Sequence, residues 1–154
     1  MNKMLLDKMQ QRLTSKEFRY ATNNNIISLN VDIGEAVGVL RIEIHVLDNA
    51  YVCYASLNNK AAPDKFCNIS EYLHRANLGL IFGNFEMDFS DGEIRYKYSI
   101  EIENANNIPN QTLDKCILLP CVMFKRYGSG ILSLLFSDGD PQELIKEIEN
   151  DQEK

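Results

Sequence analysis

Four cysteines and two histidines are the residues of this sequence best suited to bind a metal or act as a nucleophile, and their spacing decides whether they can. Cys53, Cys67, Cys116 and Cys121 include no Cys-x-x-Cys pair, and Cys116 and Cys121 stand five apart with Pro120 between them. That misses the four-residue spacing that puts two ligands on one helical face, so no metal site is predicted. Reduced, buried thiols acting as small hydrophobes are expected instead. His45 falls on an outward strand position and His74 on a helix. Gly128-Ser129-Gly130 looks superficially like a nucleophile elbow, but it lies between two helical stretches rather than after a strand, and reads as a flexible joint. There is no phosphate-cradling GxxxxGK[ST] or GxGxxG. Asp138-Gly139-Asp140 and Ser90-Asp91-Gly92 lack the repeated acids and closing Glu of a calcium loop and read as turns. Glu86 with Asp88, and Glu101 with Glu103, sit on polar strand faces where charges are solvated. No catalytic, cofactor-binding or metal-ligating residue is predicted, and the protein is expected not to be an enzyme.

Composition bounds the remaining options. A chain of 154 residues with 45% apolar and 25% charged residues suits one globular domain, assigned here to residues 1–150 with a charged tail at 151–154. The net charge of −6 repels phosphate backbones, and the densest basic stretch is Lys125-Arg126, so nucleic acid is not an expected partner. No apolar run is read as long enough to span a bilayer, and Met1 to Leu13 reads as an amphipathic helix rather than a signal peptide. The expected compartment is the cytoplasm, with no membrane partner.

Elements that would position any site follow from periodicity. A first helix is predicted to about Lys16, with Met4 or Leu5, Met9 and Leu13 on one stripe, then a polar connector around Thr22 to Asn25. Alternation over Ile27–Ile33, Ala36–Val46 and Ala50–Leu57 predicts a three-stranded meander turning at Gly34-Glu35 and Asp48-Asn49. The first turn would pair Leu29 with Leu40 and Ile27 with Ile42; the second would pair Ile44 with Cys53. A helix is predicted from Phe66 to about Phe82, capped by Gly83. A hairpin turning at Asp91-Gly92 would pair Phe89 with Ile94 and Phe85 with Tyr98. A third helix from Gln111 is expected to break at Pro120 and weaken at Gly128 and Gly130. A last short helix is predicted with Asp140 as cap and Pro141 at its first position. The predicted fold is α+β: an antiparallel β-sheet (meander plus hairpin) with helices on one face, in the order α-β-β-β-α-β-β-α-α.

Two apolar features could carry binding. Val37, Val39, Val52 and Tyr54 fall on outward positions of the meander and are the candidate protein-binding residues, split between the two ends of the sheet. Leu118 to Phe136 is richer in apolar residues than one helix face needs, which fits either core burial or a dimer interface.

The stretch Leu73-His74-Arg75-Ala76-Asn77-Leu78-Gly79-Leu80-Ile81-Phe82-Gly83-Asn84-Phe85-Glu86-Met87-Asp88 runs from a helix ending in Asn, through apolar residues, to Gly-x-Phe and a strand–Asp-Gly–strand hairpin. In this it resembles the YbjN family, named for sensory-transduction regulation, over roughly residues 1–135. Within that motif Asn77 would cap or bridge backbone groups. The resemblance implies a fold like that of the type III secretion chaperones, with α-β-β-β-α-β-β-α order. It also implies dimers that bind extended segments of client proteins. The helix after Asp140 and Pro120 inside the third helix depart from the family pattern. The functional expectation is a chaperone-like or regulatory module with a protein partner or client, forming a homodimer and holding no cofactor. The alternative is a small-molecule sensor with a pocket between sheet and helices lined by Phe85, Tyr96 and Tyr98.

Overall fold

The computed structural model describes residues 2–150, so Met1 and the predicted charged tail at 151–154 lie outside the described residues. α1 (Lys3–Ser15) starts where Asn2 caps it, its side-chain oxygen accepting from the Met4 and Leu5 amides. Its buried stripe is Leu5, Met9 and Leu13. Six strands, β1 (Tyr20–Asn23), β2 (Ile26–Asp32), β3 (Val39–Val46), β4 (Ala50–Lys60), β5 (Asn84–Met87) and β6 (Glu93–Glu101), form one antiparallel sheet in the order β1-β2-β3-β4-β6-β5. α2 (Phe66–Asn77) follows a 3₁₀ turn, Pro63–Lys65; α3 (Asn110–Phe136) and α4 (Pro141–Asn150) close the chain. The inward sheet positions, among them Ile27, Leu40, Ile42, Ile44, Tyr51, Cys53 and Tyr96, meet Leu5, Ile69, Leu113, Phe124 and Ile131 of the helices in one core. The predicted α+β class, an antiparallel sheet with helices on one face, is the architecture observed.

Several boundaries differ, and each difference has a local cause. The connector before the meander is a strand: β1 pairs with β2 through a tight turn in which Asn24 takes a left-handed φ of 53°. Two hairpins are shifted by two residues. Val31 pairs with Leu40 and Leu29 with Ile42 across a loop of residues 34–37; Met87 pairs with Ile94 and Phe85 with Tyr96 across a loop of residues 89–92. In both, an aspartate at the strand end opens the loop. Asp32 Oδ1 accepts from the Gly34 amide at 2.9 Å, and Asp88 Oδ1 accepts from the Ser90 amide at 2.8 Å. Because the shift is even, inward residues still meet inward residues. The β3–β4 turn is as predicted, with Ile44 opposite Cys53.

α3 is one continuous helix of 27 residues, unbroken at Pro120, Gly128 or Gly130. The glycines serve close approach rather than flexibility. Tyr72 of α2 donates to the Tyr127 carbonyl at 2.8 Å, and a Cβ on Gly130 would overlap the Tyr72 ring. Packing of α2 against α3 therefore outweighs the low helix propensity of glycine. Ser129, read as part of a joint, sits exposed in mid-helix. By length and composition α3 could cross a membrane, contrary to expectation; half of its apolar window is buried inside the fold, which accounts for its apolarity as that of a core helix. α4 begins as predicted, with Asp140 Oδ1 accepting from the Gln142 and Glu143 amides. Cys53, Cys116 and Cys121 are buried as expected, whereas Cys67, in the first turn of α2, is exposed.

Three buried tyrosines tie separate elements together: β4 to α1, α2 to α3, and β6 to the loop after α2. Tyr51 donates to the Leu5 carbonyl at 2.7 Å, Tyr72 to that of Tyr127, and Tyr96 to that of Phe82. Burial pushes all three phenols up, Tyr96 to about 12. The folded chain thus favours the neutral phenol. This contribution is complete below the unfolded tyrosine value of about 10, and is lost as pH rises through the folded values. Alkaline titration should therefore release phenolate absorbance from these three only together with cooperative unfolding. Gradual ionisation of all seven tyrosines in a chain that stays folded would contradict this.

Candidate functional site

Asn77 closes α2 by spending its side chain on another element. Its Oδ1 accepts from the Phe85 amide at 2.7 Å and its Nδ2 donates to the Phe85 carbonyl at 2.9 Å. The carboxamide thus acts as one peptide unit laid against the outer edge of β5, satisfying backbone groups that an edge strand leaves open. At the other end of the connection, Tyr96 Oη holds the Phe82 carbonyl. Gly83 has φ +68°, and a Cβ there would lie 2.6 Å from the Lys97 carbonyl and 2.7 Å from Tyr96 Oη. Only glycine fits that position. The motif around Asn77 and Gly83 is a structural clamp, with Asn77 bridging backbone groups. Gly83 caps no helix, because α2 ends five residues earlier than predicted.

Between the two anchors the chain presents apolar side chains to solvent: Leu78 is 90% exposed, Ile81 87% and Phe82 53%. A loop fixed at both ends cannot fold these groups inward. Lys115 of α3 places its ammonium 5.4 Å from the centre of the Phe82 ring, so the loop borders the outer face of α3. That face carries Leu118 and Val122, 58% and 52% exposed and one turn apart. On its far side, Lys16, Phe18, Asp114, Ile117 and Leu118 line a groove of about 200 Å³. Asp114 there is held by Arg12 through two bonds of 2.7 and 2.6 Å, and this hydrogen bonding keeps its carboxyl below the usual range. From Lys115 to Phe136, α3 contains no Asp or Glu but includes Lys115, Lys125 and Arg126. The result is an apolar strip rimmed by cations on an acidic protein.

The four residues proposed from sequence occupy other places, and the fold does not gather them. Val37 lies in the loop before β3, packed on the core side against α3, where a Cβ on Gly128 would lie 2.8 Å from it. Val39 is exposed at the start of β3, paired with Asp32. Val52 and Tyr54 are half-buried near the opposite end of the outer sheet face, on β4. Tyr54 is held between His45, ring centres 5.2 Å apart, and the Arg95 guanidinium at 4.6 Å. Arg95 in turn donates to Glu86 at 2.9 Å, and Glu43 meets both Arg41 and His45. This face is an internally paired polar surface. Among the described residues, no group of three or more His, Cys, Asp and Glu is placed to hold a metal.

The three aromatic residues named for the alternative pocket are core residues. Phe85, Tyr96 and Tyr98 are all buried. Phe85 packs edge-on against Tyr96, Phe124 and Tyr127 at 4.9, 5.2 and 5.8 Å, joining sheet and α3, while its α2 side borders a cavity of about 210 Å³ lined also by Ser70, Leu73 and His74. Phe89, expected inward, lies exposed in the loop, edge-on to Phe66 at 5.3 Å. The exposed strip escaped sequence reading because Leu80-Ile81-Phe82 continues the helical spacing of α2. Gly79 within that run was the available sign of a break.

No protein-family model matches the chain, and no curated protein matches it significantly. Among solved structures, the fold is similar to the crystal structure of YbjN from E. coli, described as a candidate transcription regulator. The TM-score is 0.55 at 13% sequence identity, covering 80% of this chain and 93% of that one. The resemblance read from the Asn77 motif is thus met at the level of the fold: the chain has a YbjN-like architecture.

Proposed function

We propose that the protein is a non-catalytic binding module of the regulatory or chaperone-like kind, acting in the cytoplasm. Its contact surface is the clamped loop Leu78–Phe82 with the adjoining face of α3. The observation that carries this reading is the exposure of Leu78, Ile81 and Phe82 on a loop anchored at both ends. Contiguous apolar groups held out in water mark interaction surfaces. The YbjN-like fold supports a regulatory or binding role in the same general sense. On this reading the partner is a protein, and neither nucleic acid nor a cofactor is involved.

Photo-crosslinking in cells tests it, with a benzophenone amino acid placed at Ile81 in one strain and at Val52 in another. Discrete protein adducts from Ile81 and none from Val52 are expected. Adducts only from Val52, or none from either, would refute the assignment. The double variant Leu78→Ser/Ile81→Ser should lose the contact while changing unfolding free energy by no more than about 0.5 kcal/mol, because exposed side chains contribute little to the fold. Urea denaturation checks the second half of that statement.

A further inference from the structure

We propose that the occupant of this surface is an α-helix of a partner protein, with an apolar stripe flanked by acidic residues, laid alongside α3. The inference rests on the reading of that surface as a binding site and adds the partner's chemistry. Charge is the first argument. The chain carries −6 overall, yet α3 has no carboxylate from Lys115 to Phe136, and its one acid before that, Asp114, is taken by Arg12. Among the described residues Lys115 and Lys125 make no ion pair, and the Nε of Arg126 is buried without an acceptor. A strip of α3 with no carboxylate of its own, and with cations that no described acid pairs, is complementary to acidic groups.

Length and backbone chemistry select a helix. The strip runs along α3, with the loop at Phe82 beside it at Lys115 and the groove at Phe18 beside it at Leu118. Lys115 and Arg126 are about 16 Å apart along the axis at 1.5 Å per residue, a span matched by about three turns of a second helix. An extended peptide would need backbone partners, and the nearest sheet edge has its Phe85 amide and carbonyl already occupied by Asn77. A helix brings its own backbone satisfied and needs only side-chain contacts. A second copy of this chain fits poorly. In a two-fold dimer the same face is used on both copies, which would set Lys115 of one α3 towards Lys125 and Arg126 of the other with no acid of either helix to offset them.

The test uses the full chain and two labelled synthetic helical peptides of 18 residues. Both have a leucine stripe; one is flanked by glutamates and the other by lysines at the same positions. At physiological salt the glutamate peptide should bind about tenfold or more tighter by fluorescence anisotropy, as several rim pairs change from attraction to repulsion. In Lys115→Glu/Lys125→Glu, checked for unchanged circular dichroism, the preference should reverse. Equal binding of both peptides, binding of neither, or a preference that survives the charge reversal would overturn the proposal. It also falls if phosphatidylglycerol vesicles capture the chain while the glutamate peptide does not. Sedimentation showing a dimer that Leu118→Glu dissociates would likewise overturn it in favour of a second copy. Adducts from Ile81 without a peptide preference remove the helix inference alone; no adducts and no preference remove the binding reading as well.

Discussion

Phe85→Ala should destabilise the protein by about 3–5 kcal/mol, the range for emptying a buried aromatic site. For a chain of this size that is a fall of roughly 6–20 °C in Tm. The position joins four elements. Phe85 belongs to β5, pairs across the ladder with Tyr96 of β6, and meets Phe124 and Tyr127 of α3 edge-on. Its backbone is also the point to which Asn77 ties α2. With neighbours fixed in both sheet and helix, the cavity has little room to collapse, which places the cost at the upper part of the range. Phe85→Leu, which keeps most of the volume, should cost less than about 1.5 kcal/mol. Calorimetry of the two variants separates the readings: a loss below 1 kcal/mol for the alanine variant would show that the ring cluster is not a keystone.

The second large effect is expected at Asn77. Asn77→Ala removes both bonds to Phe85, leaving its peptide N–H at the β5 edge without a partner and its C=O with only the longer 3.3 Å bond from the Asn84 carboxamide. An orphaned group costs about 1–3 kcal/mol, so the variant should lose roughly 1–3 kcal/mol in denaturant unfolding. Asn77→Asp should not rescue it, because a carboxylate can accept from the Phe85 amide but turns its second oxygen towards the Phe85 carbonyl. The functional consequence is distinct from that of the surface variants. Asn77→Ala leaves Leu78, Ile81 and Phe82 in place but releases one anchor, so contact through Ile81 should weaken although no contacting side chain has changed. Stability and crosslinking lost together at Asn77, against crosslinking alone lost at Leu78 and Ile81, would separate the clamp from the surface it presents.

Much of this fold was legible because its signals are local. Period-two alternation named five of the six strands and most of their inward faces, and Asp48-Asn49 set the β3–β4 register correctly. β1 left no such signal: Tyr20 to Asn23 is almost wholly exposed, so its strand is defined by pairing with β2 rather than by burial. Asp32 and Asp88 lengthened two turns through side-chain bonds that composition does not reveal. α3 reads as breakable until Tyr72 is placed against Gly130, a contact between residues 58 positions apart (130 minus 72) in the chain. The proposed contact surface was the least legible part. Outward valines on strands look like a patch in one dimension, whereas the residues that form one lie in a loop that imitates the end of a helix.

The strand order carries a consequence for how the chain reaches this state. β1 to β4 are neighbours in both sequence and space, and so are β5 and β6; only the β4–β6 seam, where Cys53 faces Tyr98 and Ala55 faces Tyr96, joins segments separated by α2. That seam closes the one long loop of the sheet, so it is the step with the largest entropic cost of closure. During synthesis from the N-terminus, the β1–β4 hairpins are complete before β6 exists. β4, the longest strand, then waits with an open edge of free amides and carbonyls. The nascent chain is thus most exposed to pairing with another copy of itself in the interval between translation of Lys60 and of Tyr98.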